Sequence, residues 1–202
     1  MIATQPSNRP SGRDRSKSAM AWYRVVQWST TTMLAAFYDI RAGGREHIPR
    51  EGGALLVSNH VSYLDVFMLG ILLDRPLNYV ARSTLFFPPL GALIRSVGGF
   101  PIQRDGLGAS GMKETLRRLR AGGIVALFPE GTRSRTGELD ELKAGISLLA
   151  SRAKTPIIPT AVAGSFEAWP RTRAFPRPHP LHVQFGPVIE ADVVAGTGPE
   201  EL

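Results

Sequence analysis

Short apolar runs alternate with amphipathic segments along most of this chain. The runs are rich in aliphatic residues and are bounded by glycine, proline or polar residues, a pattern that predicts buried strands. They predict strands at residues 54–57, 78–81, 100–103, 124–128, 157–162 and 182–185. The segments between them predict helices at residues 62–73, 86–97, 109–121 and 145–152. Strands that alternate with helices favour an α/β fold, in which a layered, mixed and largely parallel sheet is flanked by helices.

The N-terminal part of the chain has a different pattern. Residues 1–18 are rich in proline, serine, glycine and arginine and predict a disordered basic arm. Residues 19–40 contain two tryptophans and two tyrosines and are flanked by arginines, which is typical of a helix that lies at a membrane interface. A helix that packs on the core of its own domain has the same amphipathic pattern, and the threonines at residues 30–32 are a place where this helix could break. Residues 41–202 predict one further domain.

Composition limits the kinds of chemistry that this chain can use. It has 202 residues, of which 43% are hydrophobic and 20% are charged, enough for a hydrophobic core. The absence of cysteine excludes disulfides, thiolate metal sites and a cysteine nucleophile. The net charge of +7 favours anionic partners, such as nucleic acid, anionic lipid head groups or phosphorylated substrates. No motif of a nucleic-acid reader accompanies that charge, and no run of 18 apolar residues predicts a membrane-spanning helix.

A histidine and an aspartate follow the first predicted strand. Asp65 lies five residues after His60, and an imidazole held by a carboxylate is able to take a proton from an alcohol near neutral pH. On one ideal helix the two side chains would point about 140° apart. We therefore expect His60 in a loop and Asp65 in the first turn of a helix capped by Ser62, where the carboxylate reaches back and fixes one ring nitrogen. The alternative is that Asp65 only caps this helix.

A second polar segment follows the predicted strand at residues 124–128. Gly131 allows the backbone to approach an anion closely, and the guanidinium of Arg133 is suited to binding phosphate. Glu130 is unusual next to an anion, so we expect it to orient Arg133 or to bond an acceptor hydroxyl. His60 and Glu130 each lie just past the carboxyl end of a predicted strand, so we expect them to share one edge of the sheet. The alternative for this segment is an ordinary turn with solvated charges.

Four segments together resemble the lysophospholipid acyltransferase family, typified by 1-acylglycerol-3-phosphate acyltransferases. That family carries an Asn-His-x-x-x-x-Asp block, a Gly-x-Phe-x-x-Arg-type block, a Phe-Pro-Glu-Gly-Thr-Arg-Ser block and a proline-containing apolar strand, in this order. The corresponding segments here are residues 59–65, 99–104, 128–134 and 157–162. The family's Lys-x-Gly sequence after the third block matches residues 143–145, and the acidic residue that often precedes the arginine of the second block is Gln103 in this chain.

The resemblance implies a fold like that of glycerolphosphate acyltransferases and a role for each matching residue. His60 is the implied general base and Asp65 its partner. The residues implied to bind the substrate, chiefly the phosphate of the acceptor, are Arg104, Glu130, Gly131, Thr132, Arg133 and Lys143. The implied acyl donor is a thioester of coenzyme A or of acyl carrier protein, with no metal and no other cofactor. We expect a backbone N–H group near the His60 loop or Gly131 to stabilise the oxyanion.

The expected function is transfer of a fatty acyl group from that thioester to the free hydroxyl of 1-acyl-sn-glycerol-3-phosphate, which gives phosphatidic acid. The alternatives are the same chemistry on a lyso-ornithine lipid or another lysophospholipid, and a basic module that binds a membrane surface without catalysis. We expect the acyltransferase domain at residues 41–202 to work on the cytoplasmic face of the cell membrane, as a peripheral or monotopic protein without a nucleic-acid partner.

Overall fold

The computed structural model describes residues 15–102, 108–142 and 145–197. In this part of the chain, seven strands form one sheet. The strands are Ile40–Gly43 (β1), Ala54–Ser58 (β2), Leu77–Arg82 (β3), Gly99–Ile102 (β4), Ile124–Leu127 (β5), Ile157–Ala163 (β6) and Leu181–Phe185 (β7). The α-helices are Lys17–Ala35 (α1), Leu64–Leu72 (α2), Leu90–Ser96 (α3), Gly108–Arg120 (α4), Gly145–Ala153 (α5), Ser165–Ala168 (α6) and Ala191–Gly196 (α7). Two short 3-10 helices, Arg45–His47 and Ser83–Leu85, follow β1 and β3.

The strands lie in the order β1-β7-β6-β2-β5-β3-β4. From β6 to β4 in that order, neighbouring strands are parallel. At the other end of the sheet β7 pairs antiparallel with β6, and β1 pairs parallel with β7. The expected mixed, largely parallel sheet is therefore confirmed. Because β2 lies between β6 and β5, the loops that follow these three strands emerge together at one edge of the sheet, which is the carboxyl edge of the parallel strands.

Alternate residues of the central strands enter two hydrophobic cores, one on each face of the sheet. On one face, Leu56 of β2 packs in a core with Met68 of α2. On the opposite face, Leu55 of β2 packs in a core with Leu119 of α4 and Leu149 of α5. Strands that are buried on both faces need apolar residues at nearly every position, which is why β2 and β5 are continuous apolar runs in the sequence.

Helix α1 packs on the domain along one side and exposes large apolar side chains on another. Tyr23 and Leu34 are buried, and the side-chain amide of Gln27 donates to the carbonyl oxygens of Gly70 and Leu73, at 2.8 Å each. The exposed apolar side chains of this segment are Trp22, Val25, Trp28, Met33 and Phe37. The packed side matches the alternative of a helix on the core of its own domain, and the exposed side has the composition that an interfacial helix needs. Within the described ranges, none of the helices is both long enough and apolar enough to span a membrane.

The N-terminal elements differ from their predicted bounds. α1 begins at Lys17, so the last two residues of the predicted arm are helical, whereas residues 1–14 lie outside the described part of the chain. The helix runs unbroken through the threonines at residues 30–32 and ends at Ala35, before the predicted end at residue 40. It ends early because Ile40 belongs to β1, a strand that the sequence pattern does not predict. β1 is only four residues long and is partly exposed at the edge of the sheet, so it carries little apolar signal.

The predicted helix over residues 86–97 is also shorter in the structure. α3 begins at Leu90, after the 3-10 helix and the two prolines at residues 88–89. Proline lacks the backbone N–H that a helix interior needs, so the helix starts past it. The other predicted strands and helices have counterparts whose described ends lie within two residues of the predicted bounds.

Candidate active site

The loops that follow β2 and β5 meet at the carboxyl edge of the sheet. These strands are paired neighbours, with Val57 opposite Leu127, so the residues that follow each strand lie side by side. The imidazole of His60 stacks on the ring of Phe128, with ring centroids 4.0 Å apart. The backbone N–H of Ser134 donates to the carbonyl oxygen of His60 at 2.8 Å. The expectation that the two polar segments share one edge of the sheet is confirmed.

Asp65 holds the imidazole of His60 by its Nδ1 atom. Oδ2 of Asp65 lies 2.9 Å from Nδ1 and also accepts hydrogen bonds from the backbone N–H groups of Val61 and Ser62, at 2.8 Å each. The carboxylate is completely buried, whereas the side chain of His60 is 16% exposed. An ionised carboxylate only accepts hydrogen bonds, so Nδ1 carries the shared hydrogen and Nε2 is left as the basic nitrogen.

The start of α2 differs from the expected cap. The helix begins at Leu64 rather than at Ser62, and the hydroxyl of Ser62 accepts the N–H of Leu64 at 3.2 Å from just outside it. Asp65 lies in the first turn, as expected, and its carboxylate bends back over the loop that precedes the helix. One carboxylate oxygen therefore binds both the loop N–H groups and the imidazole. Asp65 therefore binds the backbone at the start of α2 and holds His60 at the same time, so the two alternatives do not exclude each other.

Glu130 supports the His60 loop and does not contact Arg133. Its Oε1 accepts the backbone N–H of His60 at 2.7 Å, and its Oε2 accepts the backbone N–H of Asp140 at a longer 3.4 Å. The side chain is buried, and this burial raises the pKa of the Glu130 carboxyl against the lowering effect of the two backbone N–H groups. The expectation that Glu130 orients Arg133 is therefore wrong, because both carboxylate oxygens face backbone N–H groups instead.

Gly131 allows the turn that brings Arg133 over the His60 loop. Its φ is +67°, in the left-handed region that favours glycine, and Thr132 follows it partly exposed. The guanidinium carbon of Arg133 lies 3.5 Å from the ring centroid of Tyr63, a residue between His60 and Asp65 in the sequence. Burial lowers the pKa of Arg133. A cation is thus held against the loop that carries the histidine.

Two further arginines lie at this turn. Arg82, at the end of β3, donates to the carbonyl oxygen of Gly131 at 3.5 Å, and Arg171, after α6, donates to that of Arg133 at 3.2 Å. In the described part of the chain, none of these three arginines forms an ion pair with a carboxylate. Neither Arg82 nor Arg171 was among the site residues predicted from the sequence. Arg82 could have been found because it lies at the carboxyl end of a predicted strand, as His60 does. Nothing in the sequence marks Arg171.

The expected oxyanion donors are engaged within the protein. The N–H of His60 donates to Glu130, and the N–H groups of the next two residues donate to Asp65. The N–H of Gly131 donates to the carbonyl oxygen of Phe128 at 3.0 Å. None of these four groups is available to an oxyanion in this arrangement, so the expectation is wrong for them.

Strand β6 supports the other side of the His60 loop. The side chain of Asn59 donates to the carbonyl oxygen of Val162 at 2.9 Å and accepts the N–H of the same residue at 2.8 Å. Ser165, just past β6, donates its hydroxyl to Oδ1 of Asp65 at 2.6 Å. Ser165 was not among the site residues predicted from the sequence. Its place just after a predicted strand is the only signal that points to it.

Two of the expected substrate ligands lie outside the described residues. Arg104 follows β4 and Lys143 precedes α5, and neither belongs to the described ranges. Their contribution to substrate binding stays a prediction, as do the catalytic and binding roles of the site residues that the structure does describe.

The chain matches the family described as Acyltransferase over residues 39–163. This span is more than half of the chain and contains the His60 loop and the turn from Glu130 to Arg133. The chain belongs to this family, so the expected class of protein, an acyltransferase, is confirmed.

Among individual relatives, the chain is 32% identical over 144 residues to the 1-acyl-sn-glycerol-3-phosphate acyltransferase of Bacillus subtilis (strain 168), a match that covers 70% of this chain and 71% of that protein. It is 33% identical over 159 residues to the protein of the same name from Limnanthes douglasii, covering 76% of this chain and 55% of the relative. The chain therefore spans about half the length of the plant relative.

A solved structure has the same fold. The 1-acyl-sn-glycerophosphate (LPA) acyltransferase PlsC from Thermotoga maritima matches with a TM-score of 0.78 at 21% sequence identity, over 94% of this chain and 77% of that chain. The expected architecture, a sheet and helices arranged as in glycerolphosphate acyltransferases, agrees with this similarity.

Proposed function

We propose that this protein transfers a fatty acyl group from a thioester of coenzyme A or acyl carrier protein to the free hydroxyl of 1-acyl-sn-glycerol-3-phosphate, which gives phosphatidic acid. The observation that carries the proposal is the contact between His60 and the buried carboxylate of Asp65, beside a turn surrounded by arginines. The relatives from Bacillus subtilis and Limnanthes douglasii are named for this acceptor.

In the proposed reaction, Nε2 of His60 takes the proton from the acceptor hydroxyl as its oxygen attacks the thioester carbonyl. The new ester C–O bond forms and the C–S bond breaks. The thiolate leaves and is protonated by the imidazolium, so that neutral His60 is regenerated and no net proton is gained or lost. Asp65 stabilises the imidazolium while it exists, because its carboxylate stays bonded to Nδ1 throughout.

The phosphate of the acceptor is proposed to bind at the turn formed by Gly131, Thr132 and Arg133. A guanidinium binds phosphate oxygens in pairs, and unlike lysine it keeps its charge when it is partly desolvated. Arg82 and Arg171 add positive charge at the same turn without an ion-pair partner in the described ranges. Arg104 and Lys143 are proposed as further ligands.

The acceptor is a membrane lipid, so the protein has to meet a lipid surface. We propose that the exposed apolar side of α1, which includes Val25, Trp28 and Met33, lies at that surface on the cytoplasmic face of the membrane, with the protein held peripherally or monotopically. Trp28 is 72% exposed, although aromatic side chains of this size are usually well buried.

Acyl transfer by the purified protein tests the proposal. The protein is incubated with a labelled long-chain thioester of coenzyme A, or separately of acyl carrier protein, and with a panel of acceptors in mixed micelles. Labelled phosphatidic acid from 1-acyl-sn-glycerol-3-phosphate is the expected product. Transfer to a lyso-ornithine lipid or to another lysophospholipid in its place would overturn the proposed acceptor. Binding to liposomes without consumption of either thioester would overturn catalysis and favour a lipid-binding module.

A further inference from the structure

Ser165 is a buried serine that contacts the partner of the proposed base. Its residue exposure is 0%, as is that of Asp65. The hydroxyl oxygen lies 2.6 Å from Oδ1 of Asp65, a short distance for a hydrogen bond from a hydroxyl to a carboxylate. Because an ionised carboxylate only accepts hydrogen bonds, the hydroxyl of Ser165 is the donor.

The local backbone fixes Ser165 in this position. Gly164, which precedes it, has a φ of +82°, and a Cβ atom there would lie 2.0 Å from the carbonyl oxygen of Pro180. Only glycine suits that backbone conformation and that close contact. On the far side of α6, the carbonyl oxygen of Trp169 accepts the hydroxyl of Ser62 at 2.8 Å. The segment that carries Ser165 is thus bound to the His60 loop at a second point, through Trp169.

The hydrogen bonds of Asp65 are divided between its two oxygens. Oδ2 accepts from the imidazole of His60 and from two backbone N–H groups, those of Val61 and Ser62. Oδ1 accepts from Ser165. A buried carboxylate needs donors on both oxygens, because an unsatisfied charged group is costly to bury. Ser165 therefore fixes the rotation of the carboxylate from the side opposite the imidazole.

We propose that Ser165 is a positioning residue for the general base, acting on His60 through Asp65. This inference rests on the proposed function. With the hydroxyl in place, part of the negative charge of Asp65 is neutralised at Oδ1, and Oδ2 is aimed at Nδ1. Without it, the carboxylate is held through Oδ2 alone, so its orientation is less firmly fixed and it carries more charge toward the imidazolium.

Loss of the Ser165 hydroxyl should change the pH dependence of the reaction in one direction. A carboxylate that lacks the serine bond stabilises the protonated imidazole more strongly, so His60 releases its proton at higher pH. The acidic side of the pH–rate profile then moves to higher pH. In the described part of the chain, the other charged groups that face this pair are Glu130 and Arg133, both from the loop after β5. Replacement of Ser165 leaves both Glu130 and Arg133 in place.

The test uses Ser165→Ala and Ser165→Cys in the full chain. Cysteine is close to serine in size but is a weak donor, so it keeps the site filled if alanine destabilises the fold. The matched control is Thr115→Val, which removes another fully buried hydroxyl, bonded to the carbonyl oxygen of Gly111 in α4. We expect both serine variants to lower kcat by about tenfold or more with little change in KM for either substrate, since misorientation of a base affects the reaction step. The control variant should keep the wild-type kcat.

Two readouts separate positioning from general destabilisation. The midpoint of the acidic side of the pH–rate profile should rise by about half a pH unit in Ser165→Ala, the effect of one hydrogen bond. NMR titration of the His60 ring, assigned by comparison with His60→Gln, should show the same rise without any substrate. Unchanged kcat and an unchanged NMR midpoint in both serine variants would overturn the inference. If wild-type protein transfers no acyl group, the proposed function fails, and the NMR titration still decides whether Ser165 acts on the His60–Asp65 pair.

Discussion

The carboxylate of Glu130 lies 2.7 Å from the backbone nitrogen of His60. Three residues later in the same loop, the guanidinium of Arg133 lies against the ring of Tyr63. The loop after β5 therefore contacts the His60 loop in two ways. The buried carboxylate of Glu130 accepts a backbone N–H, and the partly exposed guanidinium of Arg133 packs on an aromatic ring. This explains why an acidic residue can occur in a segment suited to binding an anion, since its charge is directed at the backbone N–H groups of His60 and Asp140.

Replacing Glu130 by glutamine should weaken this support. An amide supplies one acceptor oxygen, and its NH2 group would then face a backbone N–H that needs an acceptor. We expect Glu130→Gln to lower the free energy of unfolding by about 1–3 kcal/mol, the cost of an unsatisfied buried polar group, and to lower kcat. Urea unfolding and steady-state kinetics measure the two effects. Glu138→Gln, an exposed change in the same loop, is the control and should alter neither quantity.

Replacing His60 by alanine should remove most of the acyl transfer. A general base contributes about 10²- to 10⁴-fold to a rate, so a loss of kcat in that range is expected. The fold should persist, because the loop remains held by the buried carboxylates of Asp65 and Glu130 through backbone N–H groups. Circular dichroism and thermal unfolding check the fold, and release of free thiol from the donor measures the rate.

His182→Ala, on the exposed side of β7, is the matched control for the histidine variant. It should have wild-type activity. Near-normal turnover in His60→Ala would exclude His60 as the base, whatever the activity of the control.

The sheet could largely be predicted from the sequence because its central strands are buried on both faces. β2 and β5 appear as uninterrupted apolar runs, and such runs leave few alternatives. β1 could not be found, because four partly exposed residues that include Arg41 carry no such pattern. Its pairing with β7 depends on contacts between distant parts of the chain, which local patterns do not record.

The candidate site could be predicted where its residues are close in sequence and not where the fold brings them together. The contact of Asp65 with His60 spans five residues and could be expected with His60 in a loop and Asp65 in the first turn of the helix that follows it. The contact of Ser165 with Asp65 spans 100 residues and depends on β6 lying beside β2. Glu130 was identified as a site residue, but its partner was wrong, because only the structure shows the His60 N–H in front of it.

Arg133 should bind the phosphate of the acceptor, so its replacement should affect acceptors differently. We expect Arg133→Ala to raise KM for 1-acyl-sn-glycerol-3-phosphate by about tenfold or more, since a charge-assisted hydrogen bond contributes roughly 1.5–3 kcal/mol. KM for an acceptor without phosphate, and KM for the thioester, should change little. Initial rates over a range of acceptor concentrations measure this difference.

The control for that experiment is Arg135→Ala, an exposed arginine two positions along the same loop. It removes the same charge from the surface but should leave KM for the acceptor unchanged. An equal rise in KM for both variants would mean that the general positive potential, and not a specific site at Arg133, attracts the acceptor.

The stability of the domain should also depend on pH through Glu114 of α4. Its side chain lies 2.7 Å from nitrogen atoms of Arg117 and Arg118, and the hydrogen bond from Arg117 is the main cause that lowers the pKa of Glu114 from 4.5 to about 2. A carboxylate with a lowered pKa stabilises the folded state above its unfolded pKa, and this contribution is lost as the pH falls through the folded value. Because the side chain is 31% exposed, solvent screening limits the contribution to about 1 kcal/mol.

Glu114→Gln removes the titrating carboxyl at this position. The difference in free energy of unfolding between wild type and variant therefore reports the ionisation of Glu114. We expect wild type to be more stable by about 1 kcal/mol at neutral pH, with the difference shrinking as the pH is lowered from 4.5 toward 2. Urea titrations at a series of pH values measure it, with the exposed Glu141→Gln as the matched variant. A difference that stays constant over that range would show that Glu114 acts through packing and not through its charge.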